Sequence, residues 1–324
     1  MTFTIRERDT EQDMEAFFAM ELESTKENRY LDILKPDEEL IEEIREFIDK
    51  QPKKAIFIAK NERKEITGFV WASVRKGGEI WDFESQLAWI YDIKVLPPFR
   101  RQGLGRKLLV QAEQWAHREK LPAVGLHVFG SNDAAIHLYE SMGYTMKNCY
   151  FQKQITSTNM IPSPNTAFTI REKVTDQDEE NVFALGYENF KTLVLAGKEV
   201  PEEEIRDKYH NYIKSIDFKK RKHFIFVAED EQGIFAGFVW FYISQGDLGD
   251  KEYVWMLDLE VAPTYRKQGL GLQLLAHAER LSRELGLDTI RTGVHGHNKA
   301  AFRLFRSKGY KEANLFFQKQ LIKA

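Results

Sequence analysis

Tyr91-Asp92-Ile93-Lys94-Val95-Leu96-Pro97-Pro98-Phe99-Arg100-Arg101-Gln102-Gly103-Leu104-Gly105 and, later, Leu257-Asp258-Leu259-Glu260-Val261-Ala262-Pro263-Thr264-Tyr265-Arg266-Lys267-Gln268-Gly269-Leu270-Gly271 decide how this chain is read. Each runs from a short apolar segment through a proline to a basic-Gln-Gly-x-Gly turn that opens an amphipathic segment. The pattern predicts a buried strand, a loop that cannot continue the ladder, and a helix with a glycine-rich first turn. A helix start of this kind presents unpaired backbone N–H groups and the positive end of the helix dipole. Glycines admit a ligand close to the backbone and arginines add forked donors, a combination suited to phosphate or pyrophosphate. A dinucleotide-binding turn fits poorly, because Arg106-Lys107-Leu108 supplies no third glycine and Pro97-Pro98 separates strand from turn.

The two stretches are copies at a constant offset, 258 − 92 = 166, which holds through Asn132/Asn298, Gly143/Gly309, Tyr144/Tyr310 and Phe151-Gln152-Lys153/Phe317-Gln318-Lys319. Upstream, Gly68-Phe69-Val70-Trp71 matches Gly237-Phe238-Val239-Trp240, and Phe3-Thr4-Ile5-Arg6-Glu7 matches Phe168-Thr169-Ile170-Arg171-Glu172. A period this long is the size of a domain. The chain therefore divides into an N-terminal domain, 1–155, a Pro- and Ser-containing linker, 156–166, and a C-terminal domain, 167–324.

Each half reads β-α-α-β-β-β-α-β-α-β. In the first, Phe3–Arg8 alternates as a strand, Asp9 or Thr10 caps a helix, and Pro36 stands at the start of a second helix striped by Leu40, Ile41, Ile44, Phe47 and Ile48. Glu38, Glu39, Glu42, Glu43 and Glu46 cover that helix's other faces, either as a solvated surface or as an acidic approach for a cationic acceptor. Strands at 55–59, 67–74 and 89–95 follow, with Gly77-Gly78 and an aromatic run from Trp81 before the third. The glycine turn leads into a helix with Leu104, Leu108, Leu109, Ala112, Trp115 and Ala116 at helical spacing. After a strand at 123–128, Asn132 caps a helix that Gly143 ends, and 144–155 completes the sheet. The second half repeats the order, finishing in a strand pair. The fold class is α/β with a mixed sheet carrying helices on its faces, built twice.

Composition narrows the function. Of 324 residues, 43% are hydrophobic and 30% charged, and the formal net charge is −3, which gives nucleic-acid binding no electrostatic support. The one cysteine, Cys149, allows no internal disulfide and lies in an aromatic stretch that suits packing rather than nucleophilic catalysis. No apolar run reaches membrane-spanning length and the N-terminus lacks a signal-peptide core, so the expectation is a cytoplasmic protein with no membrane partner.

Asp-Ile-x-Val-x-Pro, then Arg-x-x-Gly-x-Gly, then Asn-x-x-Ala-x-x-Leu-Tyr-x-x-x-Gly-Tyr, in this element order, resembles the GNAT superfamily of acetyl-CoA-dependent N-acetyltransferases, here as two tandem GNAT-like domains. The resemblance covers both halves nearly end to end, and tandem enzymes such as the mycothiol synthases share the architecture. It implies acetyl-CoA as co-substrate with no metal, and acetyl transfer to a primary amine of a small molecule by direct attack on the thioester. The alternatives are a protein or peptide N-acetyltransferase and a non-catalytic CoA-binding sensor. It further implies that the backbone of Ile93, Lys94 and Val95 pairs with the pantetheine arm, and that a free N–H there polarises the thioester carbonyl. By the same resemblance Arg100, Arg101, Gln102, Gly103, Leu104, Gly105 and Arg106 would cradle the pyrophosphate, Asn132 would bond the pantetheine arm, and Tyr139 would be the general acid for the leaving thiolate. The matching second-half groups are Leu259, Glu260, Val261, Arg266, Lys267, Gln268, Gly269, Leu270, Gly271 and Asn298. Tyr139 is matched there by Phe305, which has no hydroxyl, so the first half is expected to carry more of the chemistry.

Asp92 and Asp258, on the strand leading to the thioester, are candidate general bases; a solvated or salt-bridged aspartate is the plainer reading. Tyr139 can equally be a packed helix aromatic, and Asn132 and Asn298 simple caps. Trp71, Trp81, Trp89, Trp240 and Trp255 suit packing better than an acceptor cage. His295 and His297, replaced in the first half by Phe129 and Ser131, lack the companions of a metal site and could touch an acceptor.

Overall fold

The computed structural model describes residues 2–28, 36–76, 86–156, 167–195, 200–215, 222–245 and 251–321. The predicted Gly77-Gly78 turn, Trp81 and all of the linker except Thr156 lie outside these residues. The described residues form two compact units, Met1–Lys147 with Phe316–Ala324, and Asn148–Leu315. They are cut differently from the contiguous domains expected from sequence. Each half of the chain gives its last strand to the unit made by the other half.

In unit 1 the elements are β1 (Phe3–Glu7), α1 (Glu11–Asn28), α2 (Asp37–Asp49), β2 (Lys54–Asn61), β3 (Ile66–Lys76), β4 (Gln86–Val95), a 3-10 turn (Pro97–Phe99), α3 (Leu104–Arg118), β5 (Ala123–Phe129) and α4 (Asp133–Ser141). The strand β6 (Thr145–Gln154) follows. Unit 2 repeats the order in β7 (Thr169–Glu172), α5 (Asp176–Leu195), α6 (Glu202–Ser215), β8 (His223–Glu229), β9 (Phe235–Gln245), β10 (Glu252–Val261), a second 3-10 turn (Pro263–Tyr265), α7 (Leu270–Glu284), β11 (Thr289–His295) and α8 (Lys299–Ser307). The chain then ends on β12 (Lys311–Gln320), one strand where a pair was expected.

Unit 1 orders its sheet β1-β2-β3-β4-β5-β12, and unit 2 orders its own β7-β8-β9-β10-β11-β6. The closing strands fit because they carry the same Phe-Gln-Lys triplet. In unit 1, Phe317 packs on Tyr139, Lys319 Nζ pairs with Glu113 at 2.8 Å, and Leu321 N–H donates to Pro122 C=O at 2.8 Å. In unit 2, Phe151 packs on Phe305, Lys153 Nζ pairs with Glu279 at 2.7 Å, and Ile155 N–H donates to Asp288 C=O at 2.6 Å. Glu113 also faces the buried Tyr144 hydroxyl, as Glu279 faces that of Tyr310. Six contacts thus match in pairs, each spanning the exchange.

The helix cores follow the periodicity. On α3, Leu104, Leu108, Leu109, Ala112, Trp115 and Ala116 are buried. On α2, Leu40, Ile44 and Ile48 are buried while the acidic faces point outward, with Glu42 paired to Arg45 and Glu46 to Lys50. Thr10 Oγ1 caps α1 by accepting from Asp13 N–H, and Thr175 does the same for Asp178 at α5. Cys149 is buried in unit 2, and burial pushes its thiol well above the ordinary range. No described helix is long and apolar enough to cross a membrane.

Candidate active site

Two features of the central strands build the site. The parallel ladder between β4 and β5 covers only Ala88–Ile90 and Val124–Leu126, although β4 continues to Val95 and β5 to Phe129. At the end of that ladder β4 bulges against β3: Ala72 faces Ile90 and Trp71 faces Asp92, so Tyr91 is the extra residue. A bulge bends its strand and re-aims the side chains beyond it. Unit 2 repeats both features. Its ladder covers Val254–Met256 and Ile290–Thr292, and the bulge places Met256 opposite Phe241 and Asp258 opposite Trp240. Asp92 and Asp258 are therefore the first residues past equivalent kinks.

The glycine turns close the far end of these strands. Gly103 caps α3 with φ 77° and Gly269 caps α7 with φ 86°, both left-handed and neither offering a side-chain cap. A Cβ built on either would meet no atom within 4 Å, so the turn is open on that side. The preceding Arg101 and Lys267 also have positive φ, 62° and 64°. Left-handed residues on either side of Gln102 and of Gln268, ahead of a helix start, turn N–H groups toward one concavity, an anion nest. Arg100 and Gln102 are spent on the turn itself: Arg100 Nε donates to Val95 C=O at 2.9 Å, and Gln102 Nε2 to Pro98 C=O at 3.3 Å. Arg266 Nε on Val261 C=O (3.0 Å) and Gln268 Nε2 on Thr264 C=O (3.0 Å) repeat this. Leu104 and Leu270 bury their side chains in the core, leaving only their backbone to the cradle. Arg106 reaches α4, donating to Ser141 Oγ at 2.7 Å. Gly105 lies under α4 too: a Cβ there would sit 3.1 Å from Leu138 Cδ2. The turn accordingly fits a pyrophosphate held by backbone N–H groups, the helix dipole and exposed basic side chains.

Asn132 Oδ1 accepts from Ala135 N–H at 3.1 Å and Asn298 Oδ1 from Ala301 N–H at 3.0 Å. Both are N-caps, and each leaves its side-chain NH2 available for donation. Tyr139 is buried against Tyr144 and Phe317, and its hydroxyl is held well above the ordinary range by burial and by the charge of Asp92. The fold thus brings Tyr139 and Asp92 within electrostatic reach. Phe305 occupies the matching place in unit 2.

Two expectations for the strand residues are corrected. The Ile93 N–H is not free: Asp92 Oδ1 accepts from it at 2.7 Å, and Leu259 N–H is held by Asp258 in the same way. Nor is Asp92 a solvated carboxylate. Burial raises its pKa, and its Oδ2 is fully enclosed. Its partners come from α1, where Ser24 bonds it and Glu21 shares a side-chain hydrogen bond with it. Trp71 Nε1 donates to Glu21 Oε1 at 3.3 Å. Burial, and then the neighbouring Asp92 charge, push Glu21 up to about 9. Lys94, expected to serve through its backbone, buries its ammonium near Met20 C=O and Glu23, both 3.4 Å away.

Unit 2 holds an equivalent pair assembled differently. Glu260 stands where unit 1 has Lys94, and it hydrogen-bonds Asp258. Burial pushes Asp258 up to about 6, and burial with the Asp258 charge raises Glu260 well above its ordinary range. Asn189 Nδ2 donates to Glu260. Gly186 stands where Glu21 would be, and a Cβ there would lie 2.5 Å from the Tyr209 hydroxyl, so Tyr209 of α6 takes the space. Asp258 raises the pKa of Tyr209 and Tyr212 after burial has done so. Sequence reading missed Glu21, Ser24, Asn189, Tyr209 and Tyr212. The signal was present in the repeat, as the paired replacements Glu21/Gly186 and Lys94/Glu260. His295 lies beside His297, ring centroids 5.6 Å apart, and burial lowers His295 to about 4. Among the described residues no group of three His, Cys, Asp or Glu side chains could hold a metal.

Comparison with known proteins agrees with this geometry. The family model for acetyltransferases of the GNAT family matches residues 17–144 and 188–310. An uncharacterized N-acetyltransferase of Bacillus subtilis, YdgE, is 26% identical over 48% of this chain and 99% of its own length. A mycothiol acetyltransferase of Thermobifida fusca is 27% identical over 68% of this chain and 70% of its own. Among solved structures, a GCN5-related N-acetyltransferase of Sphaerobacter thermophilus superposes with a TM-score of 0.55 over 98% of this chain and 95% of its own, at 18% identity, which speaks for the fold. Two anion nests on two kinked strands, each inside a match to the same family, make this chain a member of the acetyltransferase (GNAT) family: a tandem, acetyl-CoA-dependent N-acetyltransferase.

Proposed function

We propose that the chain acetylates a primary amine of a small molecule, with Asp92 and Tyr139 as the catalytic residues of the first half and Asp258 as the base of the second. The observation that carries this reading is the repeated juxtaposition of an open, left-handed glycine turn with a buried aspartate just past a strand bulge. Acetyl-CoA supplies an acyl thioester. The protein's own groups do the rest. Backbone N–H groups of the first turns of α3 and α7, with Arg101, Arg106 and Lys267, hold the pyrophosphate. The β4 segment Ile93–Val95 and the β10 segment Leu259–Val261 lie beyond the parallel ladders and offer backbone to an extended arm. The amide nitrogens of Asn132 and Asn298 donate to that arm.

Asp92 takes the proton at its buried carboxyl, beside Ser24 and Glu21. Tyr139 remains protonated at neutral pH, because burial and the Asp92 charge both disfavour the phenolate, and it can donate to a departing thiolate. The test is thiol release from acetyl-CoA by the full-length chain against polyamines, amino acids, aminoglycosides and short peptides, with products read by mass. Acetylation of a small amine supports the reading. Activity confined to peptides would move the acceptor to proteins, and CoA binding without turnover would make the chain a sensor.

A further inference from the structure

Neither half leaves its strand aspartate alone, and the two halves provide the companion from different places. In unit 1 the companion is Glu21, from the middle of α1 and 71 positions before Asp92. In unit 2 it is Glu260, two positions after Asp258 on the same strand. The exchange is compensated on both sides. Glu21 becomes Gly186, and Tyr209 fills the space. Lys94 becomes Glu260, and Asn189 supplies the donor that a buried carboxylate needs. Two carboxyls therefore meet at the same bulge in both halves, although the aspartate's partner comes from a different position in each. Packing does not require this, because bringing two acidic groups together under cover opposes folding unless they hold a proton. The free atoms match a shared proton in unit 1. Asp92 Oδ2 and Glu21 Oε2 are both enclosed, with Ser24 beside the Asp92 carboxyl, while the other oxygens are taken by Ile93 N–H and Trp71 Nε1.

We infer that Glu21 and Glu260 are positioning residues, each holding one proton against the neighbouring aspartate, so that the pairs Glu21–Asp92 and Glu260–Asp258 act as single acid–base units that accept the proton of the acceptor ammonium. This rests on the acyl-transfer reading above. In the step, an N–H bond of the ammonium breaks and its electron pair stays on nitrogen. The proton bonds to the aspartate oxygen, and the pair goes from one bound proton to two and from one negative charge to none. Solvent removes the second proton before the next cycle. The surrounding groups tune this balance. Around the first pair these are Ser24, Trp71, the ammonium of Lys94 with Glu23, and the Tyr139 hydroxyl. Around the second they are Asn189, the hydroxyls of Tyr209 and Tyr212, and the guanidinium of Arg266. Burial raises the pH at which each aspartate still accepts a proton, and the hydrogen bond from its protonated partner lowers it, so the partner orients the aspartate and keeps the buried pair at a single negative charge.

The test is a titration of full-length protein carrying carboxyl-labelled glutamate, followed by carbon NMR. Two glutamate resonances should titrate far above the ordinary glutamate range. Glu21→Gln should remove one and Glu260→Gln the other, and Asp92→Asn should move the Glu21 resonance back toward that range. In kinetics, E21Q in a D258N background, and E260Q in a D92N background, should lower kcat/KM for the amine at least tenfold, within the roughly 10²–10⁴-fold that a positioned acid–base group contributes. KM for acetyl-CoA should stay unchanged, and the pH profile should lose its limb on the alkaline side. The inference is overturned if every glutamate titrates normally, if the high resonances survive both substitutions, or if the substitutions leave kcat/KM and its pH profile intact. A wild type that acetylates no amine would instead overturn the acyl-transfer reading, and the titration would still report whether the pairs exist.

Discussion

Units 1 and 2 keep the same backbone at the site and disagree about its side chains. The bulge, the short parallel ladder, the left-handed glycine and the Asn cap recur in both. The carboxyl partner comes from a helix in one and from the strand in the other, and a tyrosine hydroxyl within electrostatic reach of the aspartate comes from α4 in one and from α6 in the other. The comparison separates what the fold dictates from what the chemistry requires. Backbone geometry is shared at the glycine turns, where the proposed acyl donor would be held in each half. Side chains reaching down from the first two helices of each unit vary, and these are the elements left to recognise an acceptor. The face over the first aspartate carries Trp71 stacked on Tyr91 at 4.3 Å with Phe47 edge-on to both. The corresponding region of unit 2 carries Tyr187, Phe190, Tyr209 and Tyr212.

The largest effect expected from breaking this comparison is on turnover. Asp92→Asn with Asp258→Asn together should reduce the rate of thiol release by about 10²–10⁴-fold, and the single variants should apportion the activity between the halves. If Tyr139 makes the first half dominant, D92N alone will give most of the loss; equal losses from D92N and D258N would show that Phe305 does not silence the second half.

Next come the closing strands. Phe317 and Phe151 are both fully enclosed, and truncating either to alanine should cost on the order of 3–5 kcal/mol. Calorimetry of F317A and F151A should show opposite units melting early. F317A, although it lies in the second half of the sequence, should destabilise unit 1.

At the nests, Gly103→Ala and Gly269→Ala meet open space, so the penalty is the backbone strain of a left-handed alanine, about 1–2 kcal/mol, with no clash. Each should raise KM for acetyl-CoA severalfold in its own half and leave the acceptor's KM unchanged.

The smallest effect is on stability against pH. The folded pKa of Asp258 is raised to about 6, so the native state holds its proton more tightly than the unfolded chain does. That contribution is complete below the ordinary aspartate pKa and is lost as pH rises through about 6. Asp258→Asn should therefore stabilise the protein by about 1–2 kcal/mol at pH 8 and by little at pH 4, as read by thermal unfolding. Asp13 and Asp178 act with the opposite sign: the Lys60 ammonium beside Asp13 and the Arg171 guanidinium beside Asp178 hold them well below the usual range, and their contribution disappears as pH falls into the acid region.

The nests and the caps were legible in the sequence, because their physics is local: a glycine at a fixed offset from a proline, an asparagine three residues from the N–H it binds. The element order was legible for the same reason, down to the buried stripe of α3. The carboxyl pairs were not. Glu21 meets Asp92 only through the packing of α1 on the sheet, and periodicity on α1 carries no hint of that meeting. Glu260 was read for its backbone alone. The strand exchange was hidden by the repeat itself. With Phe-Gln-Lys in both closing strands, either strand satisfies either sheet, and only the folded chain shows which one is used.

That exchange bears on how the protein comes into being. As the chain leaves the ribosome, unit 1 has its first five strands early, yet its sheet stays open at β5 until all of residues 148–315 has been made and Phe316–Leu321 arrives. Unit 2 is supplied with β6 before any of its own strands exist. The half that is synthesised first is therefore the half that finishes last, and in the interval its unpaired edge depends on chaperones or on speed to avoid joining another chain.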